Sequence, residues 1–172
     1  MASRPPFEER AHRPILLAVD GESHTGAAIA EACRLAGALD RTVAVLHVED
    51  DYLKQFSNEI YAQGREEYLE HVDRCLAEEG REAVAEARAR VLEDGVESEA
   101  LIRKGEPFDA IRAELETGAY SLLIVGRKPR SGGRLRRRQD LPARLADAGG
   151  STPLLIVPGE SATPAAYPDI GN

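Results

Sequence analysis

The chain runs to 172 residues, 42% of them hydrophobic and 30% charged, which suits one domain around a single core and leaves little room for two. Its formal net charge of −8 argues against general affinity for nucleic acid or membrane surfaces. No stretch approaches the roughly 20 apolar residues that span a bilayer, and the opening MASRPPFEE lacks the apolar core of a signal peptide, so a cytoplasmic location is expected.

Residues 1–13 read as a flexible polar lead, 14–158 as one α/β domain, and 159–172, rich in Pro, Ala and Gly, as a disordered tail. ILLAV at 15–19 is a short apolar run suited to a strand covered on both faces. Ser23 can cap the helix that follows, where Ile29, Cys33 and Ala36 sit at i, i+4 and i+7 with Ala32 beside them. Residues 42–48, rich in β-branched side chains, predict the second strand. Residues 50–64 carry Tyr52, Phe56, Ile60 and Tyr61 in a weak pattern and predict a loop or short helix, placed where it could lid a cleft. Leu69, Val72, Leu76, Ala83, Ala87 and Val91 then recur at helical spacing. Gly80 interrupts that stripe, at a cost of about 1 kcal/mol relative to alanine in a continuous helix, and marks either a break or a close approach.

From Val96 the pattern repeats compactly. Residues 98–103 predict a strand, Gly105 turns the chain, and Pro107 fits the first turn of a helix, where its missing amide is not needed. Phe108, Ile111 and Leu115 make that helix's buried stripe, and Gly118 ends it. Residues 121–125 and 153–157 predict the fourth and fifth strands, with a helix over 141–148 between them. Strands alternating with helices imply an α/β fold with a doubly wound, open parallel sheet, right-handed crossovers and helices on both faces. Cys33 and Cys75, both in helix-like stretches, fit reduced, packed thiols.

The junction after the fourth strand reads GRKPRSGGRLRRRQD over 126–140. An apolar run, a glycine-rich basic turn and a helix is the layout of a phosphate cradle, in which backbone amides and a helix N-terminus face an anion. Two residues oppose that chemistry. Pro129 has no amide to donate, and Asp140 sets a carboxylate where a phosphate would meet a hydroxyl or a bare amide.

Taken together, the segments starting PILLAVDGES at Pro14, VAVLHV at Val43, GEPFDAI at Gly105, LLIVG at Leu122 and PLLIV at Pro153 resemble, in order and spacing, the universal stress protein family. The resemblance covers about 14–157 and implies a five-stranded parallel sheet in the order 3-2-1-4-5. Members that hold ATP carry a G-x2-G-x9-G-[S/T] signature after the fourth strand. Here only Gly126 survives, with Pro129 at the second glycine and Gln139-Asp140 at the terminal pair. Asp20, closing the first strand, and Val48, ending the second, match positions used for the adenosine half. The candidate nucleotide site is therefore Asp20, Gly21, Val48, Gly126, Arg127 and Arg130, for AMP or ATP, at the strand ends where the sheet order reverses.

Plainer readings stand beside these. Asp20 before Gly21 can simply shape the turn. The basic run 127–138 can be solvated loop, anion recognition by guanidinium groups that replace missing amides, or polyanion contact. His12, His24, His47 and His71 are not read at metal-ligand spacing with cysteines or carboxylates, and His47 reads as a packed or hydrogen-bonded strand residue. No nucleophile and base pair can be assembled, so no catalysis is expected. The fifth strand lies at the sheet edge in the family order, and its apolar 154–157 run implies pairing across a two-fold axis in a homodimer. The expected function is a non-enzymatic stress-response regulator with partner contacts and weak or no ATP binding. The alternative is an adenine-nucleotide switch or slow ATPase using Asp20, Val48 and Gly126.

Overall fold

A computed structural model describes residues 12–22, 25–50, 66–128 and 140–159. Apolar runs too short for a helix pair side by side as five strands: β1 (Ile15–Val19), β2 (Val43–Glu49), β3 (Ser98–Lys104), β4 (Leu122–Arg127) and β5 (Leu154–Pro158). Between them run α1 (Thr25–Leu39), α2 (Glu66–Glu93), α3 (Pro107–Glu116) and α4 (Leu141–Ala148). All strand pairs are parallel and the order is β3-β2-β1-β4-β5, the arrangement that the alternating pattern and the family resemblance imply.

Strand alternation sorts the core into two layers. Ile15, Leu17, Val19, Val43, Val45 and Ile124 face α1 and α2, while Leu16, Ala44, Leu46, Leu123 and Val125 face α3 and α4. Central β1 is covered on both sides, with Ile15, Leu16 and Leu17 all 0% exposed. Each such side chain contributes roughly 1.5–3 kcal/mol relative to exposure. Buried Ala28, Ala32 and Ala36 bring α1 close to the sheet. On the other face, α3 begins with the Glu106 carboxylate accepting the Asp109 amide at 3.0 Å, ahead of Pro107.

Helix α2 is continuous through Gly80, which decides between a break and a close approach. A Cβ on Gly80 would lie 2.6 Å from Cδ2 of His47, so the glycine admits the imidazole of β2. The buried line of α2 then runs through Val84, Ala87 and Val91; Ala83, which the sequence stripe favours over Val84, is turned toward Gly21 instead.

Strand ends differ from the apolar runs. β2 and β5 sit one residue later than expected and β3 ends one residue later. β4 continues two residues past Val125, because Gly126 pairs with Val157 and Arg127 with Pro158 on β5. A ladder ends where its partner ends, not where hydrophobicity does. Gly126 and Arg127 thus belong to a strand and not to the turn after it. The lid segment (51–65), Ser23, most of the lead (1–11), the tail from 160 and the basic turn over 129–139 lie outside the described residues.

Candidate functional site

The carboxyl ends of β1 and β4 lie side by side, their last registered pair being Ala18 with Val125. β1 is followed by α1 on one face of the sheet and β4 by α4 on the other, and such divergence opens a crevice at the strand ends. Asp20 and Gly126 both come at this mouth. Val48, expected to end β2, is its penultimate residue because the ladder runs on to Glu49 paired with Lys104, and it packs toward the α3 and α4 layer.

Asp20 organises the turn out of β1. Its Oδ1 accepts the Glu22 amide at 3.0 Å and the Thr25 hydroxyl at 2.7 Å, tying the strand end to the first residue of α1. Gly21 sits at φ +78, and a Cβ there would lie 3.2 Å from Cβ of Ala83 on α2. Both the positive φ and the helix behind it select glycine. The turn-shaping reading of Asp20 is therefore present in the structure, whatever else the carboxylate does.

At the end of β4 the cations are matched to carboxylates. The Arg127 guanidinium donates to the Asp140 carboxylate, with the two side chains 28% and 21% exposed. Asp140 occupies the N-cap position of α4 yet makes no side-chain capping bond, since its carboxylate is turned toward Arg127. Lys128 donates to Glu22 across the mouth, and the Arg127 carbonyl accepts the Gly159 amide at 2.8 Å. A basic strand end is thus paired with one carboxylate from α4 and another from the β1–α1 turn. Opposite charges flanking a glycine-rich turn hinted at these pairs, but sequence spacing alone did not reveal them. Arg130, Pro129 and Gln139 lie outside the described residues, so of the six candidate residues five are placed at or beside this end of the sheet.

His47 donates from Nδ1 to the Val19 carbonyl at 3.0 Å, as its reading as a hydrogen-bonded strand residue implies. A cavity of about 80 Å³, lined by Thr25, Ile29, Ala87 and Arg90 among others, opens between α1 and α2. That is room for a few waters, each filling about 30 Å³ in the liquid, far below the roughly 300 Å³ where ligand pockets begin. It lies on the opposite face of the sheet from Val48 and touches the predicted nucleotide mouth only at the β1–α1 turn, through Val19, Gly21 and Glu22.

Away from the mouth, Glu114 is a buried acid that an apolar stripe cannot reveal. Its carboxylate accepts the Tyr120 hydroxyl at 2.6 Å and Nε of Arg103 at 2.8 Å, joining α3 to β3 and to the start of β4. Burial first, then the Glu114 carboxylate, push the Tyr120 phenol well above its ordinary range. Cys33 is buried, as expected; burial and then Asp94 raise its thiol to about 11. Cys75 is only half-buried, and its Sγ lies 3.7 Å from Nε2 of His71. Four residues on a helix are one turn, so His71 does stand at ligand spacing to a cysteine, contrary to the expectation from sequence. Among the described residues no group of three or more His, Cys, Asp or Glu converges to hold a metal, and no described helix is long and apolar enough to cross a membrane.

Comparison with known proteins agrees with this architecture. The model of the universal stress protein family matches residues 11–137. The universal stress protein YxiE of Bacillus subtilis is 25% identical over 121 residues, 69% of this chain and 80% of that protein. A solved protein of the family from Burkholderia pseudomallei superposes with a TM-score of 0.65 at 22% identity, over 90% of this chain and 100% of that one. A universal stress protein in complex with cAMP gives 0.63 at 19%, over 87% and 99%. One from Archaeoglobus fulgidus in complex with dAMP gives 0.58 at 17%, over 86% and 98%. The strand order, the matched segments and the family match together place this chain in the universal stress protein family.

Proposed function

We propose that this chain is a dimeric stress-response regulator of the cytoplasm that acts through partner contacts, not catalysis, and binds ATP weakly or not at all. The observation that carries the reading is the Arg127–Asp140 pair. A triphosphate reaching the start of α4 would meet a carboxylate and would have to displace it from the guanidinium nearest Gly126. Charge-assisted pairs of this kind are roughly twice as strong as neutral hydrogen bonds. Pro129 also withholds one amide that the family signature supplies.

Dimerisation through β5 is supported by its position at the sheet edge and by Leu154, Leu155, Ile156 and Val157, all only half-buried in one chain. The working unit in this reading is the domain over 14–158.

A second reading is favoured by the cAMP and dAMP complexes of the two solved relatives. A nucleoside monophosphate carries its charge close to the ribose and need not reach Asp140. Such a ligand would use Asp20, Gly21, Val48 and Gly126 for the nucleoside, with Arg127 and Arg130 near the phosphate. Titration calorimetry separates the readings: Mg-ATP should show no micromolar site on the native chain, whereas AMP binding alone would select the second. Tight ATP binding would overturn the first.

A further inference from the structure

We propose that His71 and Cys75 form a two-point chelate for a borderline-soft divalent cation such as zinc. They stand one turn apart on α2, with Nε2 and Sγ separated by 3.7 Å. A tetrahedral ion holding sulfur at about 2.3 Å and imidazole nitrogen at about 2.0–2.1 Å needs those two atoms roughly 3.5–3.6 Å apart. The pair is therefore set to the bite of such an ion with little side-chain movement. The helix backbone fixes the two Cβ positions, so the ordering cost is confined to side-chain torsions. Thiolate with imidazole is also the donor set that borderline and soft cations take over magnesium or calcium.

The site is reachable. His71 is exposed and Cys75 half-buried, on the stretch of α2 that precedes its buried line from Gly80 onward. By contrast Cys33 is 5% exposed in the α1 core. Since no third ligating side chain converges among the described residues, water completes the coordination. On binding, the Cys75 thiol releases its proton to solvent as the sulfur–metal bond forms. The Nε2 lone pair makes the second bond, and the six-coordinate aqua ion gives up four waters, keeping two on the tetrahedral centre.

The test uses the full chain, with zinc and cobalt(II) as probes. Zinc should slow alkylation of Cys75 by iodoacetamide, followed peptide by peptide, and cobalt(II) should give a thiolate charge-transfer band. The cobalt(II) band should be lost in Cys75→Ser, and zinc protection of Cys75 should be lost in His71→Ala and in the more conservative His71→Asn. Unchanged circular dichroism, and Cys33 resisting alkylation in every variant, exclude unfolding as the cause. Absence of zinc protection in the native chain, or equal protection with and without the His71 imidazole, overturns the proposal.

Discussion

Gly80→Ala sets two effects of known size against each other. In an ordinary helix interior the alanine would stabilise by up to about 1 kcal/mol. Here the new Cβ would stand 2.6 Å from Cδ2 of His47, a distance that real contacts do not show, and 3.0 Å from Nε2, which is tight. The ring cannot simply swing aside, because Nδ1 is bonded to the Val19 carbonyl at 3.0 Å. Overpacking of this kind costs roughly 1–3 kcal/mol, and breaking the imidazole bond adds about 0.5–1.5 kcal/mol. The clash outweighs the propensity gain, and a net loss of roughly 0.5–3.5 kcal/mol is expected. Urea denaturation at fixed protein concentration, followed by circular dichroism, measures it. His47→Ala supplies the control. Without the ring the same Gly80→Ala should become neutral or stabilising, so the substitution changes sign between backgrounds. A stabilising Gly80→Ala in the native chain, or equal losses in both backgrounds, would refute the close-approach explanation.

Other expectations follow from single contacts. Tyr120→Phe removes the hydroxyl that Glu114 accepts at 2.6 Å and should cost about 1.5–3 kcal/mol, the range for hydrogen bonds to charged groups; denaturation showing no loss would mean that bond is not formed. Cys33 is harder to ionise folded than unfolded, so its contribution is full below its ordinary 9.0 and is lost as pH rises toward about 11. Native stability should accordingly fall more steeply over that window than that of Cys33→Ala, and parallel curves would contradict the assignment. Ile156→Lys places a charge on the β5 edge and should shift sedimentation from dimer toward monomer; an unmodified chain that is already monomeric removes the basis for a β5 interface. If AMP binds, its affinity should fall with salt, since exposed charges are screened over about 8 Å at physiological ionic strength. Arg127→Ala with Arg130→Ala should abolish that salt dependence, and equal AMP affinity with and without both arginines would leave the basic turn as solvated surface.

Local chemistry made much of this fold legible. Apolar runs bounded by turn residues located all five strands, and Pro107 at a helix start and the 141–148 helix fall where composition places them. Apart from the His71–Cys75 pair, one helical turn apart, what escaped depends on partners outside the local run. The last two residues of β4 are polar enough to read as turn, and only the β5 ladder keeps them extended. Glu114 looks like a solvent-facing acid until Arg103 and Tyr120 converge on it. Gly80 looks like a defect until His47 is found against it. At the mouth the turn chemistry of Asp20 and Gly21 was readable, whereas the matching of Arg127 with Asp140, thirteen residues on, required the strand and helix to be in place.

In the proposed reading Asp140 occupies the cationic group that a triphosphate would need. The decisive comparison is Mg-ATP titrated by calorimetry into the native chain and into Asp140→Ser, side by side. Serine removes the carboxylate, releases Arg127 and restores a hydroxyl at the start of α4. The native chain should show no micromolar site, and the variant should bind at least about tenfold more tightly, a gain of about 1.4 kcal/mol. Micromolar binding to the native chain that is unchanged by Asp140→Ser would contradict the claim.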